Sequence, residues 1–436
     1  MSIKKLTVAA LATVASAPLS AAVPEISGVT MAQDVTRRVT ITYTLADAPA
    51  VVTVDVQTNN ANGVWTSIGG EAVWNATGDV WKKVETGSHT ITWRPDHSWP
   101  DHKIAAGGAR AVVTAWALDN TPDYMVVDLD VDNTVRYYPS VDFLPKKSFD
   151  QVGAAITNNA DYKTTKLVMR KIMAHGIEWT MGSTAAETQR RTEKGREDTH
   201  KVTLENNYYI GVFEVTQRQW KNVATNSTVT AQFPNNGDMS PMENISYNEI
   251  RNSANSATEN SAYNWPANPN PSSFLGLLRT KTGLDFDLPT DAQWEFAARS
   301  GNGSGYWGNG TAVLNRDSDD NLSKLGRYKT NSGRKPVSVG SYAPSDWGLY
   351  DMHGNVWEWC LDWYEVDATS NGGRVNIDSE HPEKTLSGAS GDKRLIRGGS
   401  FGDVASSCRS ALRTGNFPYT RGNSIGFRVV CTAGLR

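Results

Sequence analysis

The stretch that decides the fold is "WGLYDMHGNVWEWCLDWY", residues 347–364. It concentrates aromatic residues around three acids, Asp351, Glu358 and Asp362. Carboxylates and carbonyls at such close spacing are the hard oxygen ligands that Ca²⁺ prefers. The alternative is that Glu358 pairs with a nearby arginine while Trp357 and Trp359 fill the core. Bound ions or tryptophan-rich packing are what a domain with little regular structure needs to fix its loops.

The sequence divides into two domains joined by a linker. Residues 24–143 consist of short alternating segments rich in Thr and Val and separated by turn clusters, among them "RRVTITYTL", "AVVTVDVQT", "HTITWRP", "ARAVVTAWAL" and "YMVVDLDV". This pattern predicts an all-β sandwich of immunoglobulin or fibronectin-like type. Residues 144–165 are predicted to form a linker, and a larger, loop-rich domain follows over residues 166–432.

The first residues predict export. Residues 1–22 combine a positive start, an apolar run too short to cross a bilayer, and small residues before Ala22, which is the pattern of a signal peptide. We therefore expect the mature chain in the periplasm, at the cell surface or outside the cell, with no transmembrane segment. The net charge of −3, from 43 basic and 46 acidic residues, gives no electrostatic footprint for nucleic acid.

Two segments of the second domain read as helices. These are "TQRQWKNVAT" and "TDAQWEFAARS", the latter with Thr290 as N-cap and acids in its first turn. Between them lie long stretches rich in Gly, Asn, Ser and Pro, such as "NWPANPNPSSF". The sequence therefore predicts an α+β domain whose loops hold most of its residues.

Seven ordered blocks carry a family resemblance: "WTMGS", "YYIGVFEVTQRQW", "SPMENISYNEI", "FDLPTDAQWEFAARSG", "WGLYDMHGNVWEWCLDWY", "RLIRGGSF" and "NSIGFRVV". In this order they resemble the formylglycine-generating enzyme family, also called the sulfatase-modifying factor family. The resemblance covers residues 166–432 and implies a compact α+β domain that is a variant of the C-type-lectin-like fold. The N-terminal sandwich lies outside it.

The resemblance implies two calcium sites. The first would use the side chains of Asp351 and Glu358 with the backbone carbonyls of Gly354 and Val356. A weaker second site would begin at Asn321 and Leu322, but the segment "GRYKTNSGRKPV", where its later ligands belong, contains no acid. Calcium is thus expected as a structural cofactor, chiefly at the first site.

The resemblance also implies a copper site that this chain does not complete. In the active enzymes a Gly-Gly-Ser turn precedes two cysteines five residues apart that hold Cu(I). Here Ser400 ends the turn, Cys408 falls on the second cysteine, and Asp403 stands at the first. A carboxylate is a hard donor with little affinity for Cu(I), so copper is not expected to bind and no catalytic residue is assigned.

A binding role is the prediction that remains. The C-terminal segment also resembles the variable region of retroelement-diversified proteins, which use the same lectin-like fold to display a binding face. Aromatic, small and amide residues interleave there as on adaptable binding surfaces. We predict contacts with an unknown protein or glycan ligand from Phe401, Asp403, Val404, Ser406, Ser407, Leu412, Asn416, Phe417, Tyr419 and Thr420. The alternative is an oxidase that converts a sulfatase cysteine to formylglycine.

Overall fold

A computed structural model describes residues 22–60, 62–131, 133–145, 156–187, 189–191, 197–253, 261–264, 267–364 and 393–432. The predicted signal peptide lies outside these residues apart from Ala22. The described residues form a mixed, strand-rich fold. No helix in these ranges is long and apolar enough to cross a bilayer.

Eight antiparallel strands build the N-terminal region. They are β1 Glu25–Gln33, β2 Val39–Ala46, β3 Ala50–Asn59, β4 Trp65–Ser67, β5 Thr77–Gly78, β6 Lys82–Val84, β7 Gly87–Trp93 and β8 Ala109–Trp116. One sheet has the order β1-β2-β7-β5, and in the other β3 pairs with β4, β6 and β8. Two one-turn helices, α1 Gly70–Val73 and α2 Pro95–Ser98, connect strands.

The two N-terminal sheets share one hydrophobic core. Ile41 and Tyr43 of β2 and Val52 and Val54 of β3 are buried in the same cluster. Along β2 the buried residues alternate with more exposed ones, as expected when a strand buries one face. The alternation seen in the sequence therefore identifies these strands correctly.

One predicted sandwich strand lies elsewhere. The segment "YMVVDLDV" forms β9 Tyr124–Asp128, which pairs with β10 Val135–Tyr138 and with β11 Lys166–Ile172. It thus belongs to the sheet of the second domain, and its placement in the sandwich was wrong. Four of its five residues are buried, because it lies inside a sheet covered on both faces. Local pattern identifies a strand but does not choose its partner.

The described residues of the second domain form three sheets. Its further strands are β12 Glu178–Met181, β13 His200–Thr203, β14 Tyr208–Gly211, β15 Phe286–Asp287, β16 Trp357–Trp363, β17 Arg394–Arg397, β18 Arg413–Asn416, β19 Ile425–Gly426 and β20 Val430–Thr432. A six-stranded sheet has the order β10-β9-β11-β14-β20-β15, and a four-stranded sheet the order β18-β17-β16-β19. Strands β12 and β13 form a separate pair.

Both predicted helices are present. They are α3 Gln217–Val223 and α5 Asp291–Arg299, and each begins with a complete capping box, from Thr216 to Gln219 and from Thr290 to Gln293. Two more helices are α4 Phe274–Thr282 and α6 Leu322–Leu325. The sequence did not reveal α4, because it follows a Pro-rich stretch and carries Gly276 in its interior. A Cβ on Gly276 would lie 2.0 Å from the carbonyl oxygen of Asn270, so the helix packs too closely there for a side chain.

The described residues also contain short 3₁₀ and π-helical turns. They are the 3₁₀ turns Val141–Phe143, Ile156–Asn158, Ala160–Lys163, Pro234–Asn236, Ser261–Tyr263 and Ala405–Cys408, and the π-helical turn Asn248–Asn252. Within the predicted linker, Ile156 and Tyr162 are buried in the cluster that also holds the N-terminal core. This part of the linker is therefore packed structure that joins the two regions.

Candidate functional site

Asp403 occupies the position that the resemblance gives to the first copper cysteine. It follows the Gly-Gly turn that leaves β17, and its backbone N–H donates to the Ser400 carbonyl at 3.0 Å. Its Oδ2 accepts a hydrogen bond from Trp357 Nε1 at 2.8 Å and another from Ser400 Oγ. Two neutral donors therefore fix the orientation of a carboxylate at this position.

Cys408 lies at the end of a 3₁₀ turn next to this group and is fully buried. Burial, with the nearby negative charge of Asp403, raises the pKa of its thiol well above the usual value. A Cβ on Gly399 would lie 2.6 Å from the Cys408 sulfur, so this glycine makes room for it. Cys408 is thus a neutral, packed thiol, whereas nucleophilic or metal-binding cysteines are thiolates.

The other two cysteines are far from pairing with Cys408. Cys360, Cys408 and Cys431 are all free and buried, and each lies in a different hydrophobic cluster. The side chains at the presumed copper position are therefore one protonated thiol and one carboxylate. This donor set does not fit Cu(I), which is selected by soft thiolate ligands.

His353 forms hydrogen bonds with the backbone of the turn that carries Cys408. Its Nε2 accepts a hydrogen bond from the Gly308 N–H at 2.9 Å, which leaves Nδ1 to donate to the Cys408 carbonyl at 2.9 Å. Burial lowers the pKa of His353 to about 4. The imidazole is therefore neutral and fixes the backbone of the turn that carries Cys408.

The first predicted calcium site contains a complete ion pair. Arg428 donates from Nε and Nη2 to both oxygens of Glu358 at 2.6 Å, and Trp294 Nε1 donates to the same carboxylate at 2.6 Å. All three side chains are buried. Glu358 thus has the arginine partner that the alternative interpretation of the sequence requires.

Asp351, in contrast to Glu358, has a carboxylate oxygen without a hydrogen-bond partner. Its Oδ2 accepts from the Gly340 N–H at 2.7 Å, but its buried Oδ1 has no hydrogen-bond partner. Burial raises the pKa of Asp351 to about 6. An orphaned buried carboxylate oxygen is what a cation would satisfy, so Asp351 fits a calcium ligand while Glu358 is already neutralised.

Glu214 is a buried acid beside these residues that the sequence analysis missed. It accepts hydrogen bonds from Asn355 Nδ2 at 2.6 Å and from the Val356 N–H at 3.1 Å. Burial and the charge of Asp351 raise the pKa of Glu214 well above its usual value. The available signal was an acid enclosed by apolar residues in "GVFEV".

The acids in this region outnumber the cations. Glu214, Asp351 and Glu358 interact electrostatically with two cationic neighbours, Arg428 and Lys163. With all three carboxyl groups ionised, one negative charge would be left over, and a buried charge without compensation is costly. Either a proton on a carboxylate or a bound cation must remove it.

At the weaker predicted calcium position, protein hydrogen bonds use some of the oxygen acceptors. Buried Asp319 accepts four backbone N–H groups, those of Leu314, Asn315, Asn321 and Leu322. The Leu322 carbonyl accepts the Gly326 N–H at 2.9 Å. Asn321 Nδ2 donates to the Ala312 carbonyl at 2.9 Å, and calcium binding at Asn321 and Leu322 stays a prediction.

The predicted ligand residues divide into two groups. Phe401, Ser406, Ser407 and Leu412 are buried and belong to the frame, so their assignment to the binding surface is corrected. Tyr419 is 54% exposed and its ring stacks on Phe417 at 5.5 Å. The remaining candidates are partly exposed, namely Asp403, Val404, Asn416, Phe417 and Thr420.

The exposed part of the C-terminal segment, residues 416–424, is named the C-terminal loop here. It is fastened to the frame by the Arg421 guanidinium, which contacts both oxygens of buried Glu249. Two further hydrogen bonds run from the Asn248 N–H to the Pro418 carbonyl at 3.0 Å and from the Asn244 N–H to the Gly422 carbonyl at 2.9 Å. The loop therefore presents its aromatic pair from a fixed backbone.

The second domain matches a known protein family. The family described as "Sulfatase-modifying factor enzyme 1-like domain" matches residues 160–433. The chain belongs to this family. Among curated members, the formylglycine-generating enzyme of Thermomonospora curvata is 36% identical over 161 residues, which cover 32% of this chain and 48% of that protein. The enzyme of Streptomyces coelicolor is 35% identical over 167 residues, covering 34% and 47%. The chain spans about half the length of these curated relatives.

The similar solved structures are more distant in sequence. PvdO from Pseudomonas aeruginosa matches with a TM-score of 0.47 and 22% identity, covering 61% of this chain and 94% of that one. Treponema denticola variable protein 1 matches with a TM-score of 0.44 and 24% identity, covering 62% and 96%. The family match begins six residues before the domain boundary predicted from sequence, inside the 3₁₀ turn Ala160–Lys163.

Proposed function

We propose that this protein is a non-enzymatic, ligand-binding member of the sulfatase-modifying factor family. The observation that carries the proposal is the state of the presumed copper position. Asp403 is held there by Ser400 and Trp357, and Cys408 is a buried neutral thiol. The chemistry of thiol oxidation at Cu(I) needs two thiolates, so binding is the role left to this face.

The C-terminal loop supports the binding role. Tyr419 and Phe417 offer a rigid aromatic pair, and Asn416 and Thr420 add hydrogen-bonding groups beside it. Aromatic side chains provide contact area at low entropic cost, while small polar ones adapt to different ligands. The hydrogen bonds that fasten the loop keep this surface in place before a ligand arrives.

The test is selection of ligands from a peptide-display library and a glycan array with the mature chain. We expect the selected ligands to lose at least tenfold in affinity for Tyr419→Ala. The matched control is Tyr306→Ala, since Tyr306 is 49% exposed on a different loop. Equal effects of the two variants, or no selected ligand, would contradict the proposed function.

The second candidate function is oxidation of a sulfatase cysteine to formylglycine. Its support is the identity of 35–36% with two formylglycine-generating enzymes. The test incubates the chain with Cu(I), oxygen and a sulfatase-type cysteine peptide, and records the peptide mass. Asp403→Cys is the informative variant, because it would restore the thiol pair. Product from the wild type would favour the oxidase and reject the binding proposal.

Calcium remains a proposal for the first site. Asp351 Oδ1 and the carbonyls of Gly354 and Val356 would contribute oxygens, and Glu358 would have to share its carboxylate with Arg428. A divalent cation here would remove the excess negative charge and hold the loop around residues 351–358. The unpartnered oxygen of Asp351 is its support.

Export and an immunoglobulin-like N-terminal domain complete the proposal. The signal-peptide pattern of residues 1–22 supports export, and the two antiparallel sheets with a shared core support the sandwich. Mass spectrometry of the protein from its native host should give a chain that begins near Val23. A full-length chain that starts at Met1 would reject export by this signal.

A further inference from the structure

Asp403 lacks the arginine partner that several buried acids of the second domain have. Buried Glu187, Glu197, Glu295 and Glu358 each form ion pairs with an arginine. Among the described residues, no lysine, arginine or histidine forms an ion pair with Asp403. Within the described ranges, its side-chain partners are the neutral hydroxyl of Ser400 and the indole of Trp357.

The two neutral donors leave half of the carboxylate available. Both Trp357 Nε1 and Ser400 Oγ bind Oδ2, and no hydrogen bond from the described protein reaches Oδ1. A carboxylate has about four acceptor sites, so Asp403 retains acceptor capacity while its orientation is fixed. Because Asp403 is only partly buried, that capacity is accessible from solvent.

Asp403 lies beside aromatic side chains, and its backbone carbonyl accepts a hydrogen bond from the N–H of exposed Lys329 at 2.8 Å. Phe401, two residues before it, packs edge-on against Phe233 with ring centroids 5.6 Å apart. The Trp357 ring, whose N–H binds Asp403, is 8% exposed. The neighbouring Cys408 is neutral. An oriented carboxylate beside aromatic rings attracts cations through charge-assisted hydrogen bonds and through the ring faces.

We propose that Asp403 anchors a cationic group of the ligand, and that the ligand is a peptide or protein presenting an arginine or lysine side chain. This inference rests on the proposed binding function and specifies its ligand. The guanidinium or ammonium would donate to Oδ1, while Trp357 and Ser400 hold Oδ2. Trp357 is a positioning residue, since it acts on the ligand through Asp403.

The experiment measures binding of two isosteric probes to the mature full-length chain by calorimetry. Nα-acetyl-arginine amide carries the cation, and Nα-acetyl-citrulline amide replaces it by a neutral group of the same shape. We expect the arginine probe to bind at least tenfold more tightly than the citrulline probe. Equal affinities, or no binding of the arginine probe up to about 20 mM, would overturn the inference.

Variants locate the effect. Asp403→Asn keeps the shape and removes the charge, so the preference for the arginine probe should disappear. Trp357→Phe keeps a ring but loses the indole donor, so the preference for the arginine probe should fall. The matched control is Asp320→Asn, which changes an exposed acid and should keep the wild-type preference. An unchanged preference in Asp403→Asn would overturn the inference.

The failure of this inference is separable from the failure of the proposed function. Library ligands that depend on Tyr419 but bind Asp403→Asn as well as they bind the wild type would keep the binding face and reject the cationic anchor. Selection of neutral glycans with no basic peptide would do the same. If neither Tyr419→Ala nor Asp403→Asn weakens the selected binding, both the proposed function and the cationic anchor are rejected.

Discussion

Glu358 and Asp403 are two acids in the same domain, and each accepts a hydrogen bond from a tryptophan indole. Trp294 donates to Glu358 at 2.6 Å, and Trp357 donates to Asp403 at 2.8 Å. Glu358 is fully buried and forms a bidentate pair with Arg428, whereas Asp403 is partly buried and has no cationic partner in the described structure. The difference separates a carboxylate used for stability from one open to a ligand.

Removal of Arg428 should have the largest effect on stability. Arg428→Met would leave Glu358 buried without its cation, and the loss of one partner of a buried pair costs about 3–5 kcal/mol. Urea unfolding of the variant and the wild type measures this free energy. Arg218→Met, at an exposed and long ion pair with Asp238, is the control and should cost less than about 1 kcal/mol.

If Arg428→Met does not fold, Arg428→Lys provides the measurement, since it keeps the charge but loses the bidentate geometry. Its stability should lie below that of the wild type. A cost for either Arg428 variant as small as that of Arg218→Met would contradict the assignment of Glu358 to the frame.

Added Ca²⁺ tests whether a metal ion offsets the charge of the buried acids around Asp351. If Asp351 binds Ca²⁺, the free energy of unfolding should rise by about 2.7 kcal/mol at a concentration one hundred times Kd. Melting curves with Ca²⁺ and with a chelator give the shift. Asp351→Asn should abolish it. Identical wild-type curves in the two conditions would reject calcium and leave a proton as the neutralising charge.

Glu243 adds a third kind of acid, buried and held by backbone N–H groups alone. Its oxygens accept from the N–H groups of Phe233 at 2.9 Å and Gln232 at 3.1 Å, and burial raises its pKa to about 7. The folded state therefore binds more protons than the unfolded state between the ordinary pKa of 4.5 and about 7. Stability should fall as pH rises across this window, by at most about 1.4 kcal/mol per pH unit, and level off above it.

Urea unfolding between pH 5 and pH 8 measures this dependence. Glu243→Gln removes the titrating group, so the difference in stability between the variant and the wild type should change with pH in that window. A difference that is constant with pH would show that Glu243 does not titrate there.

Asp403→Asn should have the smallest effect on the fold. The asparagine oxygen can still accept from Trp357 and Ser400, and no ion pair is lost, so the free energy of unfolding should change by less than about 1 kcal/mol. Thermal and urea unfolding provide the comparison. A cost similar to that of Arg428→Met would place Asp403 with the structural acids.

The sequence predicted regular elements well where local signals are strong. The capping residues Thr216 and Thr290 mark the starts of α3 and α5, and alternation marks β2, β3 and β7. It failed where the deciding contact is distant in sequence. Strand β9 pairs with β11, which lies beyond the whole predicted linker. Helix α4 was missed for a local reason, because a glycine, Gly276, lies in its interior.

The resemblance named the residues of the candidate site but not the contacts they make. The resemblance identified Asp403, Ser400 and Cys408, and the structure brings the first two into contact. The sequence did not reveal that Trp357 donates to Asp403, or that Phe401 and Leu412 turn inward. Side chains of adjacent residues in an irregular loop have no fixed period, so their exposure cannot be read from spacing.

The sequence by itself determined the family and the order of its blocks, because these depend only on residue identity and spacing. Only the tertiary structure decided what each acid does. Glu358 meets Arg428 seventy residues later, Glu214 meets Asn355, and Asp403 meets no cation in the described chain. The role of a carboxylate follows from its burial and its counter-charge, and both arise from contacts between distant segments.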